Sequence, residues 1–573
     1  MKRFFALTAL TAAALTAQTP TVITPSATGV SDTFANYSRA NPLIPSAPIF
    51  EDQEIANQLY LPKGDRTGIS APVTGPLVAT PTSTMAIQTA NGTLPATVSK
   101  NFVGLGTGFN GTWVVQGLLP PDTTMAIGLT QIVQWVNIKL TVLDKTTGAP
   151  LLAGSGYVNA NQVWAGLGGG SVCATQNQGD PILQFDRMAN RWVLSQFAFT
   201  IAKATNGGGY PAGPYAFCVA VSQTSDATGA YNLYQYTVPR LPDYPKLGVW
   251  PDAYYITSND YSFSTTDGTA SYQGSRVCAF DRAAMIAGAA AGGVCFSGLS
   301  ATHFAMIPGD IEGPLLPPPN APNYLISGDW FTLNAPPYTL QMRRFHVDFA
   351  TPANSTLTDG LGGASDSFVA MPLSSNVVGS CGDGGGACVA QPGTTRLLDS
   401  LSMRAMYRLA YRNQGSRGEM LTFTQSIGRL GQANFAGIQL LEIRNPGANP
   451  PSVYTNVNFA PADGTNRWMG SAATDKNGNI GFGYSVSSST VSPGLRVNGR
   501  LRTDIRNQLR GELNVQTGSG SQTSTAQRWG DYSTMQIDPS DDCTFWFTSE
   551  YMVNTSSADW ATRIVAFKFN SCQ

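Results

Sequence analysis

From residue 131 onward, short apolar runs alternate with turn residues along the chain. QIVQWVNIKLTVLD begins at Gln131, RWVLSQFAF at Arg191, AYYIT at Ala253, IGFGYSVS at Ile480 and TFWFTSEY at Thr544. These runs are rich in β-branched and aromatic residues and are bounded by Gly, Asn or Asp. The pattern predicts strands joined by hairpins. Helical signals are few. DRAAMIAGAAAG, from Asp281, has an acidic start, an alanine-rich body and a glycine stop. Leu401–Arg412 has near-helical spacing but fits a strand as well. One more short helix is expected near Glu51–Leu59.

A loose repeat runs through these strands. PPDTTMAIG sets Asp122 before an apolar strand, and GDPILQFD does the same with Asp180. Asp252, Asp310, Asp399 and Asp531 take similar places, with Trp468 and Gly470 at the matching point of NRWMGSAATD. The acidic positions are separated by 58, 72, 58 and 89 residues, and then by 132, which is two units. Repeated four-stranded units without connecting helices predict an all-β fold, a β-propeller. Seven blades over residues 105–573 are expected, with six or eight as the adjacent solutions. Thr562–Phe569 is expected to complete the last blade. The rival is a pair of β-sandwiches, whose linker has one candidate, Cys381–Gly393.

Composition narrows the class. The 573 residues are 42% hydrophobic and only 12% charged, with 60 Gly and 37 Pro. Net charge is −1, which leaves no electrostatic footprint for nucleic acid. The chain has two histidines, His303 and His346, so a His-rich metal centre is excluded. MKRFFALTALTAAALTA, residues 1–17, has the basic start, short apolar core and small-residue end of a signal peptide. Residues 18–104 are rich in Thr, Pro and Ser and read as a largely extended leader. No later apolar run spans a bilayer. The expected product is secreted, extracellular or periplasmic, and monomeric.

The eight cysteines fit an oxidising compartment. They allow about 105 pairings. Loop length favours Cys173 with Cys218, Cys278 with Cys295, Cys381 with Cys388, and Cys543 with Cys572. No CxxC occurs, which argues against a zinc ribbon and thioredoxin chemistry.

Several segments also resemble, as a set, a group of large secreted bacterial proteins with no assigned activity. They are PPDTTMAIG, GDPILQFDRMANRWVLSQFA, DYPKLGVWPDAYYITSND, LDSLSMRAMYRLAYRN, RWMGSAATDKNGNIGFGYSVSS and RWGDYSTMQIDPSDDCTFWFTSEY. The resemblance covers about residues 100–573. It implies export and a sialidase-like propeller. It carries no catalytic residue over, and the SxDxGxTW boxes of true sialidases are missing.

Four constellations are candidates for chemistry. Asp122, Asp180, Asp310, Asp399 and Asp531 would converge at one mouth of a propeller channel. Such a ring suits acid–base work on a glycosidic bond, or Ca²⁺ held by Asp122, Asp180 and Asp531. Turn capping is the plainer alternative. Arg467–Trp468 and Arg528–Trp529 could form stacking platforms for sugar rings, whereas Trp192 reads as core. Arg404, Arg408 and Arg412, four apart, would share one side of a strand and could bind an acidic ligand. Tyr244, Trp250, Tyr254 and Tyr255, with Lys246 and Asp252, suggest a loop at the rim. GxSxG and phosphate-loop patterns are missing.

Three functions remain. The first is binding of an extracellular glycan or protein at the mouth. The second is a carbohydrate-active enzyme, a glycoside hydrolase or lyase, using paired aspartates. The third is a non-catalytic cell-surface scaffold.

Overall fold

The computed structural model describes residues 18–34, 36–37, 92–111, 118–299, 303–329, 339–360, 367–372, 377–378, 381, 387–402, 404–429 and 432–573. The expected signal peptide and the helix near Glu51–Leu59 lie outside them.

The protein is all-β. The first sheet has the order Thr124–Ile127, Gln131–Val136, Lys139–Asp144, Val158–Asn159. The second runs through Ile182–Asp186, Arg191–Lys203, Gly209–Ser222 and Tyr231–Val238. The third runs through Leu241–Val249, Ala253–Phe263, Ala270–Asp281 and Gly293–Phe296. A ten-stranded sheet follows. It divides where His303–Glu312 pairs in parallel with Leu409–Asn413, and each side of that seam is an antiparallel meander. Asn466–Thr474 opens the next four-stranded sheet, and Thr534–Ile537 opens the last.

The strands that open these units form a closed ring. Thr124–Ile127 lies beside Ile182–Asp186, which lies beside Leu241–Val249, and the succession continues through His303–Glu312, Leu409–Asn413 and Asn466–Thr474. Thr534–Ile537 then returns to Thr124–Ile127. Sheets set around a common axis by their first strands form a β-propeller. A two-sandwich arrangement has no such ring. Within its proposed linker, Cys381 and Cys388 are joined by a disulfide.

Three described segments before residue 107 join the sheets. Thr21–Ile23 pairs with Gly293–Phe296, and Ala27–Val30 with Tyr231–Val238. Ala96–Gly106 is the outer strand of the last sheet, beside Trp560–Phe569. The C-terminal strand is therefore third in its sheet rather than outermost. Composition predicted that residues 18–104 bury little apolar area. An edge strand needs little, because its backbone pairs on one side and its side chains reach water.

Local signals behave unevenly. Arg282–Ile286 is one helical turn, and the Asp281 carboxylate accepts the Ala284 N–H at 3.0 Å. The Leu401–Arg412 stretch holds no helix among its described residues and ends in the strand Leu409–Asn413.

Neighbouring sheets pack through aromatic side chains. Seven tryptophans, 135, 164, 192, 250, 468, 529 and 560, are fully buried. The glycines of IGFGYS let adjacent sheets approach. A Cβ at Gly483 would stand 2.5 Å from the Phe547 ring. All four disulfides join the pairs that loop length favours, with Cα separations of 5.6, 4.1, 5.7 and 5.7 Å in chain order. Four such bonds belong to an oxidising, non-cytoplasmic environment. Among the described residues, no helix is long and apolar enough to cross a membrane.

Candidate functional site

Near the start of each first strand, one residue adopts a left-handed backbone. The φ values are 49° at Asp122, 47° at Asp180, 53° at Tyr244, 51° at Ala305, 44° at Leu401, 55° at Met469 and 58° at Asp531. Asp tolerates this region better than most residues, because its short side chain bonds locally. In three strands the ladder shifts register at this point, between Asp243 and Lys246, Phe304 and Ile307, and Trp468 and Ser471. The repeating feature is thus a backbone turn at one end of the ring.

These turns interlock across one mouth. Asp122 N–H donates to the Gly530 carbonyl at 3.1 Å, and Asp399 N–H to that of Gln527 at 2.9 Å. Tyr244 OH donates to the Asp531 carbonyl at 3.0 Å, and Tyr532 OH to that of Pro181 at 2.8 Å.

Charged side chains gather on this frame. Asp122 Oδ2 accepts from Asn137 at 2.7 Å, and Asp180 Oδ2 accepts the Tyr244 N–H at 3.1 Å. Arg528 Nη2 holds both Asp531 oxygens at 2.7 Å. Lys246 lies beneath, fully buried, with Nζ 3.4 Å from the Tyr244 ring centroid and 4.1 Å from that of Tyr532. Arg404 stacks 5.3 Å from the Tyr244 ring and 5.1 Å from the Phe304 ring. Glu550 takes the Gly530 N–H from below and is fully buried. Most of the cluster is buried, but Asp180, Asp243 and Arg528 keep part of their surface in water.

Confinement shifts the titration of these groups. Burial, then the Asp243 carboxylate, pushes Asp180 up to about 8. Burial and Asp531 push Asp243 up to about 7. Burial pulls the Lys246 ammonium down to about 7, against the aspartates around it. Asp399 is raised to about 6 by burial, opposed by Arg528 and the Leu401 N–H. The mouth therefore carries several groups that exchange protons near neutrality.

Below the mouth the axis is filled. Tyr407 OH bonds Gln184, whose Oε1 accepts from Gln536 Nε2 at 2.7 Å. Arg408 is buried between Asp310 and Glu312. Arg412 reaches the far end and holds Asp542, with Nη2 at 2.7 Å from Oδ1. The arginines spaced by four thus mark three levels of one axis, each step spanning about 13 Å if fully extended. Asp310 belongs to the middle level and not to the mouth.

Other expected site residues lie elsewhere. Trp468 and Trp529 are fully buried, pack against each other at 5.7 Å and offer no face to a sugar. Arg467 is buried and paired with Asp463 and Glu512, both at 2.7 Å. Tyr255 is buried, bonds Asp252 and packs edge-on to Phe345. Trp250 and Tyr254 are core residues too. Trp468, Tyr254 and Tyr255 sit on strands with their rings turned into the packing, whereas Trp250 and Trp529 lie just outside strands and are buried all the same. From the expected rim segment, Tyr244 and Lys246 do reach the mouth.

No group of three His, Cys, Asp or Glu side chains among the described residues is arranged to hold a metal ion. The donors expected for Ca²⁺, Asp122, Asp180 and Asp531, are instead interleaved with Lys246 and Arg528, which already supply positive charge. Asp243 and Glu550 carry no sequence signal as site residues. Asp243 stands three residues before the lysine in DYPK.

No protein-family model matches the chain, and no curated protein matches it in sequence. Among solved structures, the chain is similar to a protein of unknown function from Dyadobacter fermentans DSM 18053. The identity is 10%, the alignment covers 68% of this chain and 94% of that one, and the TM-score is 0.27. An endo-1,5-alpha-L-arabinanase from Thermotoga petrophila RKU-1 is 13% identical over 78% of this chain and 97% of that one, with a TM-score of 0.25. Polysaccharide lyase Uly1 is 9% identical over 84% and 98%, with a TM-score of 0.34. The propeller assignment rests on the closed ring of strands in this chain itself.

Proposed function

We propose that the chain is a secreted, seven-bladed propeller that binds a glycan at the Asp180–Asp243–Arg528 mouth. The observation that carries this reading is the mixed cluster, in which Asp180, Asp243 and Arg528 are only partly buried on a hydrogen-bonded frame. Alternating acceptors and donors suit sugar hydroxyls, which both give and accept hydrogen bonds. The filled axis means that a ligand rests on the mouth and does not thread the ring. Residues 1–17 act as the export signal in this reading.

A second reading is a carbohydrate-active enzyme using Asp180 and Asp243. The observation favouring it is that both carboxyl groups titrate near neutrality, where one can hold a proton while another accepts one. Incubating the mature protein with plant, fungal and bacterial polysaccharides separates the two. Retention of a polymer without new reducing ends or unsaturated products supports binding. Turnover abolished by Asp180→Asn or Asp243→Asn supports the enzyme. Neither retention nor turnover on any polymer contradicts both.

A further inference from the structure

Opposite the mouth, His303–Glu312 leads into a loop, GPLLPPPN, from Gly313 to Asn320. Pro314, Leu315, Leu316, Pro318 and Pro319 are exposed, while Pro317 is buried. Leu315 is 49% exposed and Leu316 47%. Three consecutive exposed apolar residues followed by two exposed prolines are costly unless something covers them. The loop is also held in place. Asn413 Nδ2 donates to the Leu316 carbonyl at 2.6 Å, and Ala321 N–H to that of Pro318 at 3.0 Å.

The spacing gives the loop a recognisable chemistry. In a polyproline II conformation residues three apart share a face. Pro314 and Pro317 then form one row, Leu315 and Pro318 a second, and Leu316 and Pro319 a third. The second and third rows are exposed throughout, while the first is exposed at Pro314 and anchored at Pro317. The neighbouring hairpin adds charge. A Cβ at Gly415 would lie 3.6 Å from Leu315 Cδ1, and the same hairpin carries exposed Arg417. Arg417 Nη2 donates to the Lys476 carbonyl at 3.1 Å, which sets exposed Lys476 alongside. Among the described residues neither cation has a carboxylate partner.

We propose that this loop docks a protein partner whose groove is lined by aromatic rings and rimmed by carboxylates. The prolines hold the loop extended before binding, so little ordering entropy is lost. The two outward rows would fill the aromatic slots, and Arg417 and Lys476 would meet the acidic rim.

The test uses the whole mature protein and purified SH3-type and WW-type domains with acid-rimmed aromatic grooves as probes, with binding followed by calorimetry. Binding to one class is expected, weakened about tenfold or more by L315S/L316S and, at low salt, by R417E/K476E. Unchanged melting temperatures would show that both variants fold. Failure of every probe to bind would overturn the proposal, as would binding indifferent to the substitutions. Two other results would overturn it as well. One is leucine-dependent sedimentation with phosphatidylcholine vesicles in place of probe binding. The other is self-association that the leucine substitutions abolish.

Discussion

At Asp180 and Asp243, burial and like charge act in the same direction, and both hold the proton on the carboxyl. Asp180 keeps its proton to about pH 8 when folded, against about 3.9 when unfolded. Its contribution to stability is complete below the unfolded value and is lost as pH rises through the folded one. Asp180→Asn should remove that loss and keep the acceptor for the Tyr244 N–H. Thermal melts from pH 5 to 9 should show the variant gaining on the native chain as pH rises, by about 1–2 kcal/mol at pH 9, since water screens part of the carboxyl. An unchanged pH profile would remove Asp180 from the cluster. Arg408 is the opposite case, a buried cation holding two buried carboxylates. Arg408→Met leaves Asp310 and Glu312 uncompensated and should cost about 3–5 kcal/mol in denaturant unfolding. Three left-handed positions, Asp122, Asp180 and Asp531, were legible because aspartate marks such turns. At Tyr244, Ala305, Leu401 and Met469 the same backbone recurs under residues that do not advertise it. Asp310, chosen in place of Ala305, consequently lay five residues beyond the turn and inside the axis.

Among the elements, strand existence was plain in the alternation, whereas the orientation of large aromatics was not. Trp468 and Trp529 were candidates for a sugar platform because Arg precedes each one. Instead Trp468, on its strand, and Trp529, on the turn ahead of the last sheet, bury their rings against each other. The glycines of IGFGYS have the same origin, since the opposing sheet supplies Phe545 and Phe547 where a side chain would stand. Gly483→Ala should therefore destabilise the protein by about 1–3 kcal/mol in denaturant unfolding. No measurable loss would mean that the two sheets are less closely packed. Disulfide pairing was legible from loop length because each bond joins segments close in sequence, within one unit or its adjoining turn.

For the molecule as a whole, closure depends on a segment that composition assigned to a leader. Ala96–Gly106 completes the last sheet from the far end of the chain, so the ring is fastened by residues more than 450 positions apart. A chain beginning at residue 107 should lose the single cooperative unfolding transition, seen by calorimetry as broadening or as its absence. The repeat could announce a propeller because it lies within the units. The fastening could not be read, because an outer strand needs only backbone pairing and carries no hydrophobic signature. The central claim concerns the mouth. Its most direct test is retention of the native protein, and of the Asp180→Asn/Asp243→Asn double variant, on a panel of immobilised polysaccharides between pH 5 and 9. The account predicts that at least one polymer retains the native protein, with a pH-dependent step between about 6 and 9 that the variant lacks. Equal retention of both proteins at every pH, or retention of neither, would contradict it.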